Sequence, residues 1–237
     1  MKLVNLRDWI LGIQKTGFLV QEKVKEIVWF RTKELKAIEI LKPYFPKGFL
    51  FESEFSLSFQ TIQHIANDIV IHKPKIILEI GSGLSTMILN NLIKELGYRP
   101  EFISLDQDEN WQKHLLKYCD LVTFKNFEIS EKNVYSKEGK AKWFDIPNDS
   151  DLLKYNFDLV IVDGPKGFES RFARFGILNF LKGKLSKSSI IFLDDTNRND
   201  EKFLLNSMRD QLGFTHCKSF YKYSRLSFHD GINTTPS

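Results

Sequence analysis

The sequence predicts a three-layer α/β fold on a mostly parallel, seven-stranded sheet, preceded by an N-terminal helical extension. Five short apolar runs, at 76–80, 101–106, 121–127, 157–163 and 189–195, are rich in Ile, Val, Leu and Phe. Most are too continuous for strands with one wet face, and strands buried in a parallel sheet read this way. The stretches between them are long enough for crossover connections, and several have a helical period, as parallel pairing requires. Four of the five runs finish at or beside a carboxylate: Glu79, Asp106, Asp163 and the pair Asp194 and Asp195. Strand C-termini of a parallel sheet share one rim, so these acids converge on one crevice.

Residues 1–55 are expected to form the extension and 56–237 the sheet domain. Over 21–42, Val24, Ile27, Val28, Leu35, Ile38 and Leu41 fall near helical spacing among six basic residues. Such a helix packs on its own domain or on a second subunit as a homodimer, with peripheral contact to a membrane surface as the other reading. Pro43 and Pro46 end it. Ile62, Ile65, Ala66, Ile69 and Val70 repeat at helical spacing over about 58–71, ahead of the first strand. After that strand Gly81 and Gly83 let the backbone bend, and Leu84, Ile88, Leu92 and Leu96 mark a helix stopped at Gly97. The second strand leads into a helix over 108–118 that Asp106 or Asp108 can cap. A long irregular connection, about 130–156, borders the crevice; its Tyr135, Trp143, Phe144 and Tyr155 either cover a ligand or anchor the connection to the core. Beyond the fifth strand, Phe203, Leu204, Met208 and Leu212 keep helical spacing, and 214–219 and 223–228 form two closing strands.

The glycine turn is informative in detail. A dinucleotide fingerprint, G-x-G-x-x-G, would put its third glycine where Thr86 stands, and a β-branched side chain there opposes close packing around a pyrophosphate. Glu79 at the strand end is placed to face a cationic group such as an amino group, and Asp106 lies where an open α/β sheet offers a carboxylate to ribose hydroxyls. The segment Glu79-Ile-Gly-Ser-Gly-Leu-Ser85 resembles the first motif, acid-x-G-x-G-x-G, of class I S-adenosylmethionine-dependent methyltransferases, with Ser85 in place of the last glycine. The resemblance covers about 56–229. It implies a Rossmann-like sandwich with a final antiparallel hairpin, and S-adenosyl-L-methionine held by Glu79, Gly81, Ser82, Gly83, Ser85, Thr86, Asp106, Gln107 and Asp163.

Asp163-Gly-Pro-Lys166 and the Asp194 and Asp195 pair resemble the metal and lysine positions of catechol-type O-methyltransferases. Val162-Asp-Gly-Pro165, Arg171, Arg174 and Asp194-Asp-Thr-Asn-Arg198 are similar to macrocin-type enzymes acting on sugars and natural products. These resemblances imply Mg2+ on Asp163, Asp194 and Asp195, with Lys166 as the general base and Asp163 also catalytic. The acceptor they imply is a hydroxylated small molecule or a sugar or glycan precursor. Carboxylates suit magnesium as a hard cation. On the residues alone other roles stay open: Asp195 or Thr196 caps the next helix, Asp163 faces the cofactor without metal, or Lys166 is a solvated loop residue. Two further functional readings are an aminopropyltransferase-like enzyme and a non-catalytic adenosyl-ligand-binding relative on the same fold.

The 237 residues, 42% hydrophobic with 21 Phe, suffice for one sizeable core. No apolar run reaches membrane-span length, and 1–13 lacks a secretory pattern, so a cytoplasmic enzyme is expected. Cys119 and Cys217 offer neither a disulfide framework nor metal spacing. The net charge of +4 comes from interspersed residues and points to no nucleic-acid partner. No histidine has a ligand spacing; His64, beside Gln60 and Gln63, is expected to be structural.

Overall fold

The computed structural model describes residues 3–48, 51–139, 141–168 and 170–236. The helices are α1 Leu3–Leu41, α2 Phe59–His72, α3 Leu84–Glu95, α4 Glu109–Leu115, α5 Gly176–Leu181 and α6 Asn199–Leu212. The strands are β1 Ile76–Ile80, β2 Glu101–Asp106, β3 Val122–Asn126, β4 Ile129–Ser130, β5 Trp143–Phe144, β6 Phe157–Val162, β7 Leu185–Leu193, β8 His216–Ser219 and β9 Ser224–Ser227. Seven of them form one sheet in the order β3-β2-β1-β6-β7-β9-β8. The pairs among β3, β2, β1, β6 and β7 are parallel; β9 is antiparallel to both β7 and β8. This is the Rossmann-like sandwich with a closing antiparallel hairpin that the sequence predicts. Chain order reverses between β1 and β6, and at such a switch point an open sheet leaves a crevice beyond its strand ends.

Each face of the sheet has its own core. Ile77, Phe102, Leu159, Ile161 and Phe192 pack with α2 and α3, while Leu78, Ile103, Val160, Ile191 and Leu193 pack with α5 and α6. Alternate residues of β1 thus enter opposite cores, which is why the run lacks polar interruptions other than Glu79. The last turns of α1 belong to the first core: Ala37 and Leu41 are buried, and Glu34 accepts hydrogen bonds from the backbone N–H groups of Phe59 (2.9 Å) and Gln60 (3.0 Å). Together with Ser58, which accepts from Thr61 N–H, Glu34 satisfies the free N–H groups at the start of α2.

Three features differ from expectation. The helix placed over 21–42 begins at Leu3, because Gly12 and Gly17 blur the helical pattern without breaking it. The fifth strand begins earlier, at Leu185, and stops at Leu193. Asp195, at φ 57°, takes a left-handed conformation that ends the extended run, so Asp194 and Asp195 sit on the turn beyond it. In the long connection β4 and β5 pair, and most of its aromatics anchor. Trp143 is fully buried, Tyr135 packs edge-on against Phe180, and Tyr155 lies beside Phe157. Gly176 makes the indole's seat: a Cβ there would come within 2.3 Å of the Trp143 ring.

Candidate active site

The turn after β1 is fastened on every side. Gly81, at φ +98°, donates its N–H to Leu105 O (2.8 Å) and faces Gly164. A Cβ on either glycine would lie 3.1 Å from the other's backbone, so the loops after β1 and β6 touch where only glycines fit. Ser82 N–H donates to Asp106 Oδ2 (2.9 Å), and Asp108 N–H donates to the other Asp106 oxygen (2.9 Å). Carboxylate oxygens accept more than one hydrogen bond, so Asp106 keeps acceptor capacity on a cavity wall. Burial raises its pKa while these backbone donors oppose the rise. Asp108, not Asp106, caps α4, accepting from Trp111 N–H. The Trp111 indole N–H in turn donates to Ser82 O (2.8 Å).

Behind the turn lies a closed polar network. Gln112 donates to Ser82 Oγ, Ser82 and Ser104 share a 2.8 Å hydroxyl contact, and Ser104 donates to Glu79 Oε2 (2.7 Å). Ser85 and Thr86 hydroxyls also donate to Glu79, at 2.6 and 2.5 Å. Thr86 Oγ1 accepts from Gly83 N–H as well, which closes the start of α3. Glu79 is therefore 0% exposed, and burial pushes its pKa to about 7 against the pull of the three hydroxyls. This corrects the expectation that Glu79 faces a cationic ligand group: its carboxylate is spent on holding the turn. Thr86 stands with it behind the wall.

A cavity of about 970 Å3 opens in front of the turn. Gly81, Ser82, Gly83, Ser85, Asp106 and Gln107 line one part, and Asp163, Lys166, Asp194 and Asp195 line another. The three aspartates offer carboxylate oxygens within 4.8 Å of one another. The left-handed turn at Asp195 brings its side chain back toward Asp163, a conformation that costs a non-glycine residue about 1 kcal/mol and is met at functional sites.

Arg174, 5% exposed, is embedded in this cluster. Its Nη2 lies 3.3 Å from Asp163 and 3.1 Å from Asp195, Nη1 donates to Asp194 O, and Nε donates to Pro165 O, which follows the cis Gly164–Pro165 peptide. Burial first, and then the neighbouring Asp194 charge, raise Asp163 well above the usual carboxylate range, with Arg174 opposing. Burial and then Asp195 raise Asp194 to about 6. Asp194 Oδ1 is buried and has no hydrogen-bond partner among the described residues. Converging carboxylates with an unsatisfied buried oxygen form a donor set that fits a hard divalent cation, although Arg174 already neutralises part of it. Asp195 and Thr196 cap no helix through their side chains: Asp195 pairs with Arg174 and Arg198, and Thr196 Oγ1 meets Ser224.

Sequence reasoning named Arg174 in the macrocin-type resemblance without a role in the aspartate cluster, and gave no role to Trp111 or the mouth residues Phe51 and Phe55. Phe51 and Phe55 carry no local pattern; they reach the cavity because 51–58 crosses its mouth.

No protein-family model and no curated protein sequence matches the chain. Solved structures similar to it include the SAH-bound methyltransferase PaMTH1 of Podospora anserina, with TM-score 0.46, 18% identity, and 84% of this chain and 88% of that chain covered. Another is the O-methyltransferase TomG of Streptomyces achromogenes in complex with SAM, with TM-score 0.46, 11% identity and coverage of 83% and 87%. Human methyltransferase-like protein 13 with SAH has TM-score 0.44, 12% identity and coverage of 73% and 82%.

Proposed function

We propose that this chain is an S-adenosylmethionine-dependent methyltransferase that methylates an oxygen of a hydroxylated small molecule or of a sugar or glycan precursor. The carrying observation is one cavity, at the switch point of the sheet, that joins a glycine turn and Asp106 to a largely covered aspartate cluster. The glycine backbone admits the donor closely, and the free acceptor capacity of Asp106 suits ribose hydroxyls. An acceptor hydroxyl directed at Asp163 would lose its proton to that carboxylate while its oxygen attacks the methyl carbon. The C–S bond then breaks with its electron pair on sulfur, leaving a neutral thioether. Asp163 lines the cavity beside Asp194 and Asp195, which suits it to this role where no cation occupies the cluster. Lys166 is the other candidate base, but its Nζ lies over the Phe55 ring.

Asp163, Asp194 and Asp195 are the residues that would hold Mg2+, which supplies orientation and acidification of neighbouring hydroxyls when bound. No helix among the described residues is long and apolar enough to cross a membrane. Val20, Val24 and Ile27 of α1 are exposed, an apolar surface that a second copy would cover.

The test is a calorimetric titration of S-adenosylhomocysteine into the wild type and Asp106→Ala, with and without magnesium. Binding lost on substitution supports the donor site. A wild type that binds nothing under either condition overturns the reading.

A further inference from the structure

The acid cluster has a basic rim that methyl transfer to a neutral acceptor leaves unused. Lys166, Arg198 and Lys222 line the same cavity as Asp163, Asp194 and Asp195, and all three are exposed. Lys166 has no carboxylate partner among the described residues; its Nζ sits 4.9 Å from the centre of the Phe55 ring and 5.9 Å from that of Phe168. Those rings lie 6.1 Å apart and are themselves exposed at the cavity mouth. Lys222 also has no ion pair among the described residues. Its carbonyl accepts from Thr196 N–H (2.7 Å), which fixes it beside the turn after β7, close enough for its charge to act on Asp194. Arg198 Nη1 pairs with Asp195 at 2.9 Å and lies 3.2 Å from where a Gly167 Cβ would stand, so its guanidinium crosses the loop that carries Lys166.

Charge is thus layered by depth. Asp194 and Arg174 are buried, Asp163 and Asp195 are mostly covered, and three exposed cations stand outside them. Lysines kept apart from the carboxylates nearby remain available to a ligand, and guanidinium and ammonium groups converging from separate loops suit phosphate oxygens.

We propose that the acceptor carries a phosphate or diphosphate, held by Lys166, Arg198 and Lys222 while its hydroxyl reaches the aspartates. This rests on the methyltransferase reading and narrows its substrate to phosphorylated hydroxyl compounds. The cavity lies at the large end of the range for small-molecule sites, consistent with a donor and an acceptor bound together.

The test uses the full chain loaded with S-adenosylhomocysteine, free of divalent metal, and inorganic pyrophosphate as the probe in a calorimeter. Lys166→Gln and Lys222→Gln should each weaken pyrophosphate binding by about tenfold, the scale of one charge-assisted contact. Their affinity for S-adenosylhomocysteine should stay at the wild-type value, which also shows that they fold. Lys182→Gln, before β7 and so at the opposite end of the sheet, should bind pyrophosphate as the wild type does. No pyrophosphate binding to the loaded wild type, or the same loss in Lys182→Gln as in the other two, overturns the proposal. Failure of S-adenosylhomocysteine itself to bind overturns the donor assignment, and the proposal falls with it.

Discussion

Lowering the pH should unfasten the chain end at His64. The ring is 1% exposed, with Nδ1 2.9 Å from the Tyr223 hydroxyl and Nε2 3.2 Å from Thr234 Oγ1, so it ties α2 to the sheet and to the segment after β9. Burial, reinforced by the Arg225 and Lys218 charges and opposed by Asp68, lowers its pKa from 6.5 to about 4. The folded chain then keeps the ring neutral where the unfolded chain takes up a proton. The contribution is intact above pH 6.5 and is lost as pH falls from there toward 4. At about 1.36 kcal/mol per pKa unit, linkage gives a loss of roughly 2 kcal/mol by pH 5 and about 3.4 kcal/mol below pH 4. That is a large part of the 5–15 kcal/mol typical of a folded domain. Glu79 works in the opposite direction, since its raised pKa makes folding take up a proton between 4.5 and about 7, so the wild type alone cannot isolate the effect. Urea unfolding of wild type and His64→Gln at pH 7.5 and 5.0 does isolate it. Glutamine can still partner Tyr223 and Thr234 but does not titrate. The wild type should lose about 2 kcal/mol more than the variant between the two pH values; equal losses would refute the reasoning.

Further expectations concern the turn and the chemistry. Gly81→Ala combines a φ of +98° with a 3.1 Å approach to Gly164, and should cost roughly 2–4 kcal/mol and weaken S-adenosylhomocysteine binding; unchanged calorimetric affinity would contradict the close packing of the two loops. Glu79→Gln resembles the protonated carboxyl and should stay within about 1 kcal/mol of wild type at pH 7. Glu79→Ala strands three hydroxyl donors and should lose about 3 kcal/mol or more, read by denaturant titration. Gly176→Ala drives a methyl group into the Trp143 indole and should destabilise by about 1–3 kcal/mol; an unshifted melting curve would show that the indole has room to move. Asp163→Asn should lower kcat by about 10²–10⁴-fold, the range for a general base, with donor affinity within a few-fold; a near-normal kcat would remove Asp163 from proton transfer.

The architecture was legible because its signals are local. An apolar run such as Phe157–Val162 can satisfy its composition only when both faces are buried, and Gly81 beside Gly83 marks a turn wherever it occurs. The acids at the strand ends were legible for the same reason: a parallel sheet brings its C-termini to one rim whatever the loops do. The start of α1 was less so, since Gly12 and Gly17 dilute a helical pattern that the backbone nevertheless sustains.

The surroundings of each acid depend on which neighbours the packing brings to it, some of them distant in sequence. Glu79 and Asp106 read alike along the chain, yet Ser85, Thr86 and Ser104 enclose one while backbone N–H groups leave the other at the cavity. Arg174 enters the aspartate cluster because the turn before α5 folds back under the β6 loop, and Phe55 meets Lys166 only because the chain ahead of α2 crosses the cavity mouth. Strand and turn formation follow from the hydrophobicity and backbone freedom of adjacent residues, which the sequence records. Charge state, exposure and partnership depend on which side chains arrive within a few ångströms, and only the packed molecule fixes that.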